Sequence, residues 1–515
     1  MGKILVGISY ALLSLAPAWS QPKPNILFIL TDDMGYGDPA CFNPKSRIPT
    51  PNIDRLASEG RRFTDAHTAA SWCTPSRYGL MTGQSPHRTT WDTDKRSIIA
   101  PTRLTMGKML QQAGYHTGMV GKWHLGFDSG NQFDCGGQFN GGPRDRGFDY
   151  FFGIHASLDI PPYFYIENRN CVAAPEADVA AGATPGWSPI QGAFWRAGKI
   201  ATGFAHADVQ PTLIRKSIGF LEGHKATRPQ DPFFLYLAMT GPHTPWVPPH
   251  PAGSGNRAGL YGDMVSYVDE GVGRMLSALD SLGYGDNTLV VFSSDNGPVW
   301  YPENTLKYGH AAAGHLRGMK LDGWEGGSRV PLIARWPGKI SRGSESRRLI
   351  SLTDMLATFA AIVKFRLPDD AGEDSYDMLS ALTDLPPSGA VRDAIVASGG
   401  YMTIRKDRWK LIFGLGSGGF SDPKNEPIVA GGPRGQLYDL AADSLERNNL
   451  WSENPGTVSS LTALLEKYDR DGRSIVLPRD PPVSPIKAAR GRPRSQEPRR
   501  ERLIPARPDG RLFAD

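Results

Sequence analysis

The sequence predicts an α/β fold: a large mixed, mostly parallel sheet flanked by helices, and a smaller C-terminal antiparallel sheet with a packed helix. Two observations predict it. Along most of the 515-residue chain, continuous apolar runs of strand length alternate with helical stretches, which is typical of a parallel sheet covered on both faces. After about residue 365, aromatic and charged residues alternate around turns, as they do in antiparallel strands.

Four apolar runs mark the predicted strands of the large sheet. They are NILFIL (25–30), TGMVGK (117–122), FFLYLAM (233–239) and TLVVFSS (288–294). Between the last two, residues 263–283 keep apolar side chains at helical spacing and stop at Gly283, which predicts a helix. Because binding sites in such sheets form beyond the carboxyl ends of the strands, the polar residues that follow these runs are the candidate functional residues.

The smaller region begins after the large sheet. Antiparallel strands are predicted within 394–415, and residues 436–451 together with a helix over 457–469 complete the region. We therefore expect four parts in the chain. These are an export signal (1–20), the main domain (21–365), an antiparallel subdomain (366–478) and a basic tail (479–515).

The two ends of the chain differ from its neutral body. Lys3, the apolar stretch ILVGISYALLSLAPA and small residues before Gln21 are typical of an export signal too short to span a bilayer. We expect an exported protein, periplasmic or secreted, with no membrane span. The tail from Arg479 holds ten Lys or Arg against five Asp or Glu, the whole surplus of a chain with 57 against 52. Its Pro and Arg content predicts a disordered, solvated extension, with contact to an acidic glycan or nucleic acid as the alternative; no nucleic-acid partner is expected for the protein.

Of the four cysteines, Cys135 and Cys171 are the pair expected to form a disulfide. Cys73 lies in SWCTPSRYGLMTG, where a helix is predicted to begin with Pro75 at its first position. A helix start collects unpaired N–H groups and the positive end of the helix dipole, so a thiol there is reactive or already modified. The alternative is a buried cysteine that serves as a small apolar side chain.

Two acidic pairs follow predicted strands. Asp32 and Asp33 come directly after the first run, and Asp295 and Asn296 follow the fourth. Each pair alone is also typical of a turn or helix cap. Two such pairs at one edge would repel each other unless a cation lay between them, and oxygen ligands alone favour Ca²⁺ or Mg²⁺.

Basic residues occur in similar places. The candidates for an anion pocket are Arg77, Lys122, His124, His243 and Lys320. Each has an ordinary alternative, namely a solvated lysine or a histidine packed in a rigid loop. Together with the acidic pairs and the helix start, they predict a pocket for an anion and one divalent cation.

At this point the chain resembles a known family, the type I, formylglycine-dependent sulfatases, which are arylsulfatase A-like and have the alkaline phosphatase superfamily fold. CTPSRYGLMTG contains the Cys-x-Pro-x-Arg signature in which this family oxidises the cysteine to formylglycine, and GKWHLG is similar to its second signature. Further segments occur in family order between about residues 24 and 475. They are NILFILTDDMGYGD, PTPNIDRLASEG, FSSDNGP and MKLDGWEGGSRVPLIARWPG.

The resemblance implies a role for each candidate residue. The implied ligands of the metal, Ca²⁺ or Mg²⁺ in its place, are Asp32, Asp33, Asp295, Asn296 and the modified Cys73. The implied sulfate-contacting and proton-transferring residues are Arg77, Lys122, His124, His243 and Lys320, with Ser157 as a looser match. A hydroxyl of hydrated formylglycine would attack the sulfur, His243 with Lys320 would protonate the leaving alcohol, and His124 would accept the proton that releases sulfate. A maturation enzyme that generates formylglycine is the implied partner.

The predicted substrate is a sulfate ester, with a sulfated carbohydrate favoured over a simple aryl sulfate. Aromatic segments 147–168 and 299–315 are expected at the substrate mouth, since sugars stack on aromatic rings. Two alternatives stay open here. One is a phosphatase or phosphodiesterase on the same fold, which normally uses a Ser or Thr nucleophile and a second metal. The other is a non-catalytic homologue that binds sulfate esters.

Overall fold

The computed structural model describes residues 23–91, 93–248, 256–384 and 392–477. The predicted export signal and basic tail lie outside the described residues. Within those ranges the helices are α1 (Pro51–Glu59), α2 (Cys73–Thr82), α3 (Met106–Gln112), α4 (His206–Thr227), α5 (Gly259–Ser281), α6 (Pro302–Tyr308), α7 (Glu325–Ser328), α8 (Met355–Val363), α9 (Leu379–Leu382) and α10 (Pro455–Asp471). None of these helices is long and apolar enough to cross a membrane.

The strands form one large sheet, a small antiparallel sheet and two minor pairs. In chain order they are β1 (Asn25–Asp32), β2 (Arg61–Phe63), β3 (Ala66–His67), β4 (His116–Lys122), β5 (Tyr150–Ile154), β6 (Ile166–Glu167), β7 (Asn170–Cys171), β8 (Ala177–Val179), β9 (Gly198–Ile200), β10 (Phe233–Pro242), β11 (Thr288–Ser294), β12 (Leu332–Arg335), β13 (Ser344–Ser346), β14 (Ile350–Ser351), β15 (Ala394–Ala397), β16 (Thr403–Lys406), β17 (Trp409–Ile412) and β18 (Gln436–Asp439).

The large sheet has the strand order β13-β2-β12-β11-β1-β10-β4-β5-β6-β7. Its central strands β11, β1, β10, β4 and β5 pair in parallel, whereas β12 and β6 join antiparallel. Every residue of β1, β10 and β11 is buried, as expected for strands covered on both faces. The predicted fold class is confirmed, and the four predicted apolar runs are β1, β4, β10 and β11.

Helices cover both faces of this sheet. Helices α4 and α5 pack against each other and against β10. Helix α3 contacts β4 and α8. The predicted helix at 263–283 is α5, which spans Gly259–Ser281 and ends two residues before Gly283. Gly283 takes a φ of 74°, a left-handed conformation that glycine adopts without a steric cost, so it follows the helix end as a stop signal.

The small sheet runs β15-β16-β17-β18, and all its pairs are antiparallel. Helix α10 packs on β16 and β17, and Leu461 and Tyr468 from this helix share a separate core with Ile404 and Leu411. Side chains from 367 to 382 pack instead with the main core. The predicted division at residue 365 stays a prediction.

The expectations about the disulfide and about the start of α2 have different outcomes. Cys135 and Cys171 form a disulfide, as predicted, whereas Cys41 and Cys73 are free. The prediction that Pro75 occupies the first helical position is wrong, since α2 begins at Cys73 and Pro75 is its third residue. Proline is tolerated there because N–H groups throughout the first turn lack acceptors within the helix. The earlier start makes Cys73 the first residue of the helix.

Candidate active site

Parallel strands bring the candidate residues to one edge of the large sheet. Asp32 is the last residue of β1 and Lys122 the last of β4, while His243 follows β10 and Asp295 follows β11. These four strands are neighbours in the order β11-β1-β10-β4. Their carboxyl ends therefore meet, although the residues lie far apart in the chain.

The acidic pairs form one buried cluster. Asn296 Nδ2 donates to Asp33 Oδ1 at 2.6 Å, and the Asp33 backbone N–H donates to Asp295 Oδ1 at 3.1 Å. Asp32 Oδ1 and Asn296 Oδ1 are buried, and neither has a hydrogen-bond donor among the described residues. Buried acceptors normally have a partner. Unpartnered oxygens within a carboxylate and amide cluster fit a hard divalent cation such as Ca²⁺ or Mg²⁺.

Three buried cations surround this cluster. Lys122 Nζ lies 2.6 Å from Asp32 Oδ2, and Lys320 Nζ lies 2.8 Å from Asp33 Oδ1. Arg77 Nη2 lies 2.7 Å from Asp295 Oδ2 and 3.6 Å from Asp32 Oδ2.

Helix α2 places both Cys73 and Arg77 beside this network. The helix is buried along its whole length and ends at Gly83, whose φ is 67°. Arg77 follows Cys73 by four residues, which is about one helical turn. Cys73 thus lies at the positive end of the α2 dipole, in the same helix as Arg77.

The sequence matches the family model described as Sulfatase over residues 24–364. It is 34% identical over 499 residues to an N-acetylgalactosamine-6-O-sulfatase of Bacteroides thetaiotaomicron, covering 87% of this chain and 93% of that protein. It is 31% identical over 481 residues to human arylsulfatase A, covering 88% and 89%. The chain belongs to the sulfatase family. It is accordingly a sulfuric ester hydrolase, as predicted.

A solved structure from work on glycosaminoglycan metabolism by Bacteroides thetaiotaomicron also resembles this sulfatase. The TM-score is 0.75 at 33% identity, and the match covers 87% of this chain and all of that one. The matched share of this chain is therefore larger than the part matched by the family model.

The electrostatics of the sulfatase site follow from burial and crowding. Burial and the neighbouring Asp32 carboxylate raise the pKa of Asp295 to about 6. Burial also opposes ionisation of Asp32, but the surrounding cations, Lys122 first, hold its pKa below the ordinary value. Burial disfavours the charged form of Lys320, but the surrounding anionic groups, Asp33 first, together outweigh it and raise the lysine pKa. The site thus keeps Asp32 and Lys320 charged although both are buried.

The two candidate histidines differ in environment. His243 Nδ1 lies 2.7 Å from the Thr244 carbonyl oxygen; a carbonyl only accepts, so Nδ1 carries the hydrogen. Its Nε2 lies 3.7 Å from Asp33 Oδ2 and is the nitrogen left to exchange a proton. His124 has its pKa held well below the ordinary value by burial, then by Lys122 and Arg77. Its Nδ1 is buried without a hydrogen-bond partner among the described residues. The lowered pKa favours the neutral imidazole.

A pocket of about 150 Å³ opens beside this network. Its lining residues are Asp33, Asp159, Ile190, Arg196, Pro242, His243, Thr244, Trp246, Tyr261, Val299, Lys320 and Phe420. The two aromatic segments expected at the mouth contribute Asp159 and Val299, but the aromatic lining comes from Trp246, Tyr261 and Phe420. Sequence reasoning missed Asp159 and Arg196. Asp159 is the last residue of the loosely matched GIHASLD segment, which was the available signal for it.

Ser157 is the loosely matched contact of the sequence analysis. It is buried in the loop after β5, and its carbonyl oxygen accepts the Ile160 N–H at 3.0 Å. The pocket lining includes Asp159 and not Ser157. A role for Ser157 in substrate binding stays a prediction.

Proposed function

We propose that this sulfatase hydrolyses the sulfate ester of a sulfated carbohydrate to an alcohol and inorganic sulfate. We further propose that it uses formylglycine made from Cys73 and a bound Ca²⁺ ion. The observation that carries the proposal is the buried cluster at the strand ends. It has two unpartnered oxygens, on Asp32 and Asn296, and lies among three cations beside the start of α2.

The metal ligands we propose are Asp32, Asp33, Asp295, Asn296 and the modified Cys73, with Mg²⁺ as the alternative ion. When bound, the cation would supply Lewis acidity. Hydrated formylglycine carries two hydroxyls on one carbon: the first would serve as the nucleophile, and the second would lose its proton so that the aldehyde re-forms and sulfate leaves. A thiol or an alcohol at position 73 lacks this second hydroxyl. Cys73 at the helix start therefore needs a maturation enzyme as a partner.

The remaining site residues bind the sulfate and move protons. Arg77 and Lys122 are placed to neutralise the sulfate oxygens, because both are buried cations whose charge is not weakened by solvent. His243 would donate a proton from Nε2 to the departing alcohol, with Lys320 assisting on the same side of the pocket. His124, kept neutral by its surroundings, would accept the proton whose loss releases sulfate.

Two arguments support a carbohydrate as substrate. The bacterial relative with 34% identity is named for N-acetylgalactosamine 6-O-sulfate. The pocket combines Trp246 and Phe420 with charged and polar groups, a composition that suits the apolar faces and hydroxyl edges of a sugar. We also propose that the protein is exported, on the basis of its N-terminal sequence.

The proposal is tested on the tryptic peptide from Phe63 to Arg77. Formylglycine weighs about 18 Da less than cysteine, so the mass of this peptide reports maturation without an activity assay. We expect the lighter mass in protein that releases sulfate from N-acetylgalactosamine 6-sulfate. Active protein with only the cysteine mass would overturn the formylglycine proposal, and matured protein that releases phosphate but no sulfate would favour the phosphatase alternative.

A further inference from the structure

One wall of the active-site pocket carries an ion pair that the proposed reaction does not use. Arg196 Nη1 lies 2.5 Å from Asp159 Oδ2, and both residues line the pocket together with His243 and Lys320. Asp159 Oδ1 lies 4.0 Å from His243 Nδ1, too far for a hydrogen bond. The pair therefore borders the place where the leaving alcohol must lie.

Asp159 is fixed and only partly satisfied. Its side chain is 8% exposed, and Oδ1 is buried with no hydrogen-bond partner in the described part of the chain. The backbone holds the pair in place, since the Arg196 N–H donates to the Asp159 carbonyl at 3.1 Å and Tyr163 Oη donates to the Arg196 carbonyl at 2.6 Å. A buried carboxylate oxygen without a donor is costly, and a ligand hydroxyl can remove that cost.

The charge of this wall selects the kind of group that it accepts. A second sulfate or a carboxylate would meet Asp159 as well as Asp33, and both are acidic residues of the same pocket. A neutral hydroxyl can donate to Asp159 and also accept from Arg196, whose side chain is 39% exposed and has further N–H groups. Trp246 and Phe420 flank the pair with apolar surface.

We propose that Asp159, supported by Arg196, binds the free ring hydroxyl nearest the sulfated position of the substrate sugar, which is the 4-hydroxyl in N-acetylgalactosamine 6-sulfate, and so determines specificity. This inference rests on the proposed carbohydrate substrate. It requires a neutral hydroxyl at that ring position and excludes a second anionic group there. Asp159 is a specificity residue, because the carboxylate contacts the alcohol part of the substrate and not the sulfur.

The test compares two ligands, of which only one should lose affinity. In a Cys73→Ala background, which prevents turnover, calorimetry measures binding of N-acetylgalactosamine 6-sulfate and of inorganic sulfate. Asp159→Asn is expected to weaken sugar sulfate binding by about tenfold or more, the usual effect of losing a hydrogen bond to a charged group. Inorganic sulfate should bind equally well or more tightly, because a negative charge has left the pocket.

Two controls separate this role from a structural one. Asp145→Asn breaks a similar pair, in which Arg169 Nη2 lies 2.5 Å from Asp145 Oδ1 outside the pocket, and should leave both affinities unchanged. The 4-deoxy analogue of the sugar sulfate lacks the hydroxyl, so its affinity should be insensitive to Asp159→Asn.

Unchanged sugar sulfate binding in Asp159→Asn, or an equal loss for both ligands, would overturn the inference. If the Cys73→Ala parent binds inorganic sulfate but no sugar sulfate, the carbohydrate proposal fails and this inference with it. Sugar sulfate binding that is retained in the parent and insensitive to Asp159→Asn rejects the inference alone.

Discussion

Lys410→Met is expected to destabilise the protein through a buried charge network between the two sheets. Lys410 Nζ lies 3.0 Å from both Glu325 Oε1 and Glu446 Oε1, and all three side chains are at most 3% exposed. Glu325 begins α7, five residues after Lys320, while Lys410 belongs to β17. Methionine preserves most of the side-chain volume and removes the charge, so the variant leaves two neighbouring buried carboxylates.

The expected cost follows from what remains around these carboxylates. Removing one partner of a buried ion pair typically costs about 3–5 kcal/mol. We expect the lower value, about 3 kcal/mol, because Arg329 and Arg405 stay 3.4 Å and 3.6 Å from Glu325 Oε2. With an unfolding entropy of about 2.1 cal/mol/K per residue, this corresponds to a fall of roughly 3 °C in the melting temperature of a chain of this length.

The pH dependence gives a second readout. Burial and the Glu325 charge already raise the pKa of Glu446 to about 7 in the presence of Lys410. Without Lys410, the folded pKa of Glu446 rises further above its unfolded value, and the pKa of Glu325, which burial opposes but Lys410 and other cations hold well below its ordinary value, rises as well. The folded variant then binds more protons than the unfolded chain, so its stability falls as the pH rises. Its deficit relative to wild type should be larger at about pH 8 than at about pH 5.5.

Thermal melts of wild type and variant at both pH values check this prediction. Lys406→Met is the matched control, because its 2.9 Å contact with Asp393 lies on the neighbouring strand but is 39% and 52% exposed. An exposed pair contributes at most about 1 kcal/mol. Melting temperatures that are equal for the two variants, or a deficit that grows toward acid pH, would refute the reasoning.

Three further predictions concern the proposed function. Cys73→Ala should lower the rate of sulfate release by several powers of ten with the fold intact by circular dichroism, and more than about a tenth of the wild-type rate would contradict formylglycine catalysis. Asp295→Ala should lower metal content by mass spectrometry together with activity, because an anionic ligand is lost; full activity in metal-free wild type would count against the ion. A chain ending at Pro478 should keep its rate on a monosaccharide sulfate and lose affinity only for long sulfated polymers, with a loss that shrinks as salt is added. Unfolding of that chain would show that the tail belongs to the fold.

Local sequence signals predicted the strands and the residues at their ends. The apolar run 25–30, followed by Asp32 and Asp33, is an example. The apolar residues of a buried strand and the polar residues at its end are neighbours in the sequence, so the pattern can be recognised without the tertiary structure. The start of α2 was misplaced by two residues, since proline is acceptable at several positions of a first turn. A proline therefore indicates that a helix begins nearby but does not identify its first residue.

By itself, the sequence determined the fold class, the sulfatase family and the set of charged residues at the proposed centre. The tertiary structure alone decided that Asp159 and Arg196 face His243, and that Trp246 and Phe420 complete the pocket. The physical reason is that loops from both the main domain and the C-terminal region form this wall. Their meeting depends on how whole elements pack and not on any pattern of neighbouring residues. The same holds for Lys410. Its strand sequence is typical of an exposed lysine, whereas the structure buries it against Glu325 of α7.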